Sequence, residues 1–115
     1  MSRDAPAKLI EQHSNDHTLS YSLIFDDFGP TAAIFEEHGY EAGGYAWHGV
    51  VDALVRLHAP EIAQKINYDP ESSMFSAYGD DPAALLRVDE LMRQAQAEPQ
   101  MLNAALEHAD PELMD

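Results

Sequence analysis

Trp47, Val50, Val51, Leu54 and Leu57 fall at i, i+3, i+4, i+7 and i+10, the spacing that places apolar side chains on one face of an α-helix. Asp52 and Arg56 turn elsewhere on the same helix. Such a stripe has to be buried against another element. Upstream the period changes. Over Thr18 to Asp26, Leu19, Tyr21, Leu23 and Phe25 alternate with Ser20, Ser22 and Asp26, with Ile24 as the one exception. Alternation of that kind marks a strand with one buried face. A chain that carries both periods is built to pack helix on sheet.

The remaining elements follow from breakers and caps. Lys8 to Gln12 reads as a short strand, and His13-Ser14-Asn15-Asp16-His17 as the turn that folds it onto the next one. Pro30 opens a short helix through Ile34 and Phe35 to His38, where Gly39 supplies a left-handed stop. Gly39 to Tyr45, with three glycines and two tyrosines, reads as a structured loop. Pro60 closes the main helix, and Glu61 to Lys65 adds another helical turn. Ile66 to Asp69 and Ser73 to Gly79 form a second hairpin around Asp69-Pro70-Glu71-Ser72. Asp80 or Asp81 caps a helix with Pro82 at its first position and Leu85, Val88, Leu91, Met92 and Ala95 along its buried stripe. Pro99 opens a last helix that uses Met101, Leu102, Ala105 and Leu106, and residues 110–115 read as a frayed tail. The expected architecture is one α+β domain over residues 1–115: a small, mainly antiparallel sheet of two hairpins with helices on one face.

Charge narrows the function classes. Asp and Glu number 21 against 6 Lys and Arg, a formal net charge of -15. A field of that sign repels nucleic-acid phosphates and anionic lipid, and it steers basic partners inward. Acidity that serves solubility alone is the competing reading. Hydrophobic residues make up 45% of the chain, enough for a core and too many for a disordered polyelectrolyte. The absence of cysteine removes disulfides and thiolate chemistry. The start lacks the apolar run of a signal peptide, and no segment approaches the ~20 apolar residues of a membrane span, so the expected compartment is the cytoplasm.

The search for catalytic chemistry gives little. His13 and His17 are four apart but flank turn residues, so no helix converges their rings on a metal. His38, His48 and His58 sit at or near helix ends, where histidines meet terminal carbonyls or solvent. The pairs Asp26-Asp27, Glu36-Glu37 and Asp80-Asp81 are adjacent, and adjacent side chains point to different faces rather than across a cleft. Phosphate-cradling, nucleophile-elbow and zinc-helix motifs are missing. Trp47 fits the core better than a ligand platform. No catalytic residue, metal or cofactor is expected, and a hydrolase using Glu36, Glu37 or His48 is the least favoured reading.

Phe35-Glu36-Glu37-His38-Gly39-Tyr40-Glu41-Ala42-Gly43-Gly44-Tyr45-Ala46-Trp47 resembles the signature segment of the bacterial Immunity protein 51 family. Asp69-Pro70-Glu71-Ser72-Ser73-Met74-Phe75, followed by a short strand and a helix capped at Asp80-Asp81, is similar to that family's second segment. The similar region runs from about Thr18 to Gln96. The resemblance implies a single α+β domain, encoded beside a secreted toxin, that protects the producing cell by binding that toxin. It brings no contact residues with it. The matching positions Gly39, Tyr40, Gly44, Tyr45, Trp47, Asp69, Glu71 and Phe75 are expected to be mainly structural. Glu36, Glu37, Glu41, Asp80 and Asp81 are the candidate partner-binding residues, because each lies in or beside a turn or helix end. The expected partner is a cognate protein toxin, basic and nuclease-like, with an acidic adaptor for another basic protein as the alternative.

Overall fold

The computed structural model describes the backbone of residues 8–13 and 19–114, with side chains from Tyr21 onward. The His13–His17 turn expected from sequence falls mostly outside the described residues. Four strands form one antiparallel sheet in the order β1-β2-β4-β3: β1 (Lys8–His13), β2 (Leu19–Phe25), β3 (Asn67–Tyr68) and β4 (Phe75–Gly79). β1 with β2 and β3 with β4 are the two hairpins, joined where β2 pairs with β4. In that register Leu23 lies opposite Ala77 and Phe25 opposite Phe75, and all four are buried. Ser22 opposite Tyr78 and Ile24 opposite Ser76 turn to the other face, where Tyr78 is exposed. The alternation therefore divides the sheet into one covered and one open face, and the fold is α+β.

The helices are α1 (Ala32–Glu37), α2 (Gly44–His58), α3 (Pro82–Ala97) and α4 (Pro99–His108). Short 3-10 turns occupy Gly29–Thr31, Pro60–Lys65 and Pro111–Leu113. Contacts place α2 against β4 and α3 against β2 and β4, while α4 packs on α1, α2 and α3. Asp81 caps α3: its carboxylate accepts from the amides of Ala83 at 3.0 Å and Ala84 at 3.4 Å. The stripe expected for α3 is buried throughout. No helix among the described residues is long and apolar enough to cross a membrane.

α2 departs from its sequence reading in two ways. It begins at Gly44, so Gly44 and Tyr45 belong to the helix and not to the loop. It is also buried nearly all round up to Val55, because Ala46, Gly49 and Ala53 form a second buried face of small side chains beside the Trp47–Leu54 stripe. Leu57, expected in that stripe, is 44% exposed with Arg56 and His58, since the last turn projects beyond the elements that cover the rest. Trp47 sits at the centre with no exposed surface. Its ring meets Phe25 edge-on at 5.3 Å and Phe35 at 5.5 Å. Burying each such large side chain contributes roughly 1.5–3 kcal/mol.

Two further expectations are corrected. The second hairpin turns at Glu71–Met74, not at Asp69–Ser72. Glu71 and Met74 exchange both backbone bonds, at 2.8 and 3.2 Å, around Ser72-Ser73, and the Asp69 amide already donates to the Ser76 carbonyl. Pro70 lacks a donor, so it sits where the short strand ends rather than inside the turn. The tail expected to fray from Asp110 instead carries a capped 3-10 turn. Asp110 accepts from the Glu112 amide at 3.0 Å, and Met114 is buried on α2 against Gly49.

Candidate functional site

α1 ends in a Schellman motif. The Tyr40 amide donates to the Phe35 carbonyl and the Gly39 amide to the Glu36 carbonyl, both at 3.0 Å, with Gly39 at φ 85. This cap swings Tyr40 back onto the core and points the chain toward α2. Gly43 and Gly44 then seat the start of α2 on the β3–β4 turn. The Gly44 amide donates to the Ser72 carbonyl at 3.3 Å, and a Cβ on Gly43 would lie 2.8 Å from that same oxygen. On Gly44 a Cβ would overlap the carbonyl oxygens of Glu71 and Met74. Only glycine allows the two segments to come this close.

Between them lies a groove of about 280 Å³ lined by Gly39 to Gly43, Tyr45, Ala46, Ser72 and Met114. Tyr40 is half-buried on its wall, Tyr45 is 38% exposed, and Glu41 and Ser72 are open to solvent. A shallower depression of about 400 Å³ over Ala97–Gln100 is lined by the α3–α4 connection alone.

The structure separates the five acidic candidates into two groups. Glu36 and Glu37 end α1 immediately before the groove, and Glu41 lies on its wall; all three are exposed. Asp80 and Asp81 follow the far end of β4. Asp81 is engaged in capping and in an ion pair with Lys65 at 3.1 Å. The Lys65 ammonium, helped by the Ala84 and Ala83 amides, holds its carboxyl below the ordinary range. Of the signature positions, Gly39, Tyr40 and Tyr45 line the groove, Gly44 packs on the turn begun by Glu71, and Trp47 and Phe75 are fully buried in the core. Asp69, exposed, joins the ladder through its amide.

All four basic side chains from Tyr21 onward are already paired: Arg56 with Asp52, Lys65 with Asp81, Arg87 with Glu90 and Arg93 with Asp89. None lines the groove. Glu41, the carboxylate on its wall, thus has no Lys or Arg counter-charge in the groove among the described residues.

The histidines go elsewhere. His38 shares a 2.7 Å hydrogen bond with Asn103 of α4, and His58 is exposed. His48 stacks on Tyr68 with ring centroids 4.5 Å apart. Burial depresses the His48 pKa against the opposing pull of Asp52, while burial and then the Asp52 charge raise that of Tyr68. No group of three or more potential metal ligands converges among the described residues. Sequence reasoning missed Ser72 and Met114 as groove residues. The one signal for Met114 was Gly49, since a glycine inside a helix costs about 1 kcal/mol and marks a close approach.

No curated protein and no solved structure matches the chain. A family model described as Immunity protein 51 matches residues 8–111, and both quoted segments lie inside that span. The match extends beyond the similar region read from sequence and covers nearly every element of the domain, so the chain belongs to the Immunity protein 51 family.

Proposed function

We propose that this protein neutralises a cognate secreted bacterial toxin by forming a stoichiometric complex with it in the cytoplasm of the producing cell. The observation that carries the reading is membership of the immunity family over residues 8–111. The acidic surface supports a basic partner, of the kind that acts on nucleic acids, because complementary charge raises the association rate and rejects wrong partners. The protein acts by occupying the toxin, not by turnover.

The test is co-expression with the toxin domain encoded by the adjacent reading frame. Cells carrying both genes are expected to grow, cells carrying the toxin alone to die, and the purified pair to elute as a one-to-one complex. Growth arrest despite abundant folded protein, with no complex formed, would overturn the reading.

A further inference from the structure

We propose that the groove between the α1–α2 loop and the β3–β4 turn is the anchor point for the toxin, and that it receives an arginine side chain. This rests on the immunity reading and adds to it a place and a chemistry. A volume of about 280 Å³ suits one long side chain. It lies at the bottom of the ~300–1,000 Å³ range of pockets that enclose drug-sized ligands.

The wall chemistry selects a planar cation. Tyr40 and Tyr45 line the groove, and neither stacks on another aromatic ring among the described residues. A guanidinium packs on a tyrosine face and binds carboxylate in a two-pronged geometry, which the compact, strongly hydrated lysine ammonium does not. Glu41 supplies a carboxylate on the wall. Glu36 and Glu37 stand at the carbonyl end of α1, where the helix dipole disfavours them, so helix stability does not account for their place. The chain's own described basic side chains are spent in pairs elsewhere. An anionic occupant would meet the Glu41 carboxylate, with Glu36 and Glu37 exposed just upstream, and no Lys or Arg among the described lining residues.

The groove walls are also braced by backbone contacts. The Schellman cap fixes one wall and the glycine contacts with the Glu71–Met74 turn fix the other. A partner side chain therefore does not have to order the site, and a preformed pocket at the centre of an interface is where binding energy concentrates.

The experiment measures Kd for the toxin domain of the adjacent reading frame with wild type, Tyr45→Ala, Ser72→Arg and Glu61→Gln. Tyr45 and Ser72 are exposed, so unfolding temperatures are expected to stay near wild type. Tyr45→Ala and Ser72→Arg are expected to weaken binding by about 30-fold or more, the range of a hot spot. Glu61→Gln, an exposed position beyond the end of α2 opposite the groove, is expected to leave Kd unchanged. If wild type forms no complex, the immunity reading fails and takes this proposal with it. A complex that tolerates both groove variants within about twofold overturns the groove alone. A self-associated protein that Ser72→Arg converts to monomer assigns the groove to a second copy and overturns the proposal. A second arm titrates N-acetyl-arginine-amide, N-acetyl-lysine-amide and N-acetyl-leucine-amide into labelled protein. Amide shifts confined to Gly39, Glu41, Tyr45 and Ser72 and largest for the arginine compound are expected. Absent shifts, or equal ones for the three compounds, overturn the arginine assignment.

Discussion

Gly44 at the first position of α2 lies so close to Glu71 that a methyl group on its Cα would overlap the Glu71 carbonyl oxygen. The two residues come from the two sequence segments that carry the family resemblance. Those segments are therefore one structural unit, the seat of a helix on a hairpin turn. Gly44→Ala is expected to cost about 3 kcal/mol, because backbone on both sides has to move. Gly39→Ala meets no atom of the described residues within 4 Å and bears only the left-handed strain, about 1–2 kcal/mol. Thermal or urea unfolding of the two variants gives this ranking directly.

Trp47→Ala is expected to cost about 3–5 kcal/mol, a large share of a stability of roughly 5–15 kcal/mol, and to lose protection through low folded yield. Trp47→Phe behaves differently. The indole N–H is buried without a hydrogen-bond partner among the described residues, so its removal relieves an unsatisfied donor while the ring still meets Phe25 and Phe35. Less than half the alanine cost is expected in denaturant unfolding.

Gly49 and Met114 are fitted to each other: a Cβ on Gly49 would overlap Cγ of Met114 and lie 2.8 Å from its Sδ. Met114→Ala is expected to cost about 2–3 kcal/mol by leaving a cavity, and Gly49→Ala about 1–3 by overpacking. Together they are expected to cost less than the sum, because truncation of Met114 makes room for the new methyl. Additive losses in a double-mutant cycle would mean that the two positions do not share this contact.

His48 ties stability to pH. Burial lowers its pKa below the ordinary 6.5, so between the two values the unfolded chain holds more protons than the native one. The contribution is complete above about pH 6.5 and falls as pH drops toward the folded value. Urea midpoints are expected to be lower at pH 5.5 than at 7.5, with His48→Gln removing part of that difference. An unchanged pH dependence in the variant would show that His48 titrates alike in both states.

Glu36, Glu37 and Glu41 together are expected to set the speed of toxin capture. Exposed charges are screened beyond ~8 Å at physiological salt, so salt and the triple neutralisation to Gln should slow association far more than they speed dissociation. The unfolding temperature is expected to change little, since repulsion relieved on an acidic surface offsets small losses. Stopped-flow association at low and high salt is the measurement. Rates indifferent to both would leave solubility as the role of this acidity.

Much of the fold is legible where burial follows a single period. Leu23 and Phe25 on β2 share one buried face, and Leu85, Val88, Leu91, Met92 and Ala95 share one buried stripe of α3, so the sequence pattern reports both faithfully. α2 is harder because it is enclosed on several sides. Its second face is made of Ala46, Gly49 and Ala53, whose small size reflects what approaches them and leaves no hydrophobic signal of its own. Ser72 and Met114 reach the groove through long-range packing, which no local pattern encodes. Asp-Pro is a strong local turn signal, whereas the turn closes one pair later, at Glu71–Met74, where Gly44 packs against its carbonyls.

The sheet order has a consequence for how the protein comes into being. Each hairpin closes over a short loop or turn, but the central pairing of Leu23 with Ala77 waits until α1, α2 and the second hairpin have been made. Closing so long a segment is the slow kind of folding event, since chain entropy is lost before the contacts repay it. The loop before α2 and the turn after β3 meet in that same part of the chain. A nascent chain still short of Gly79 would thus expose apolar strand surface, and the groove, whose lining includes Met114, would be completed only late in biogenesis.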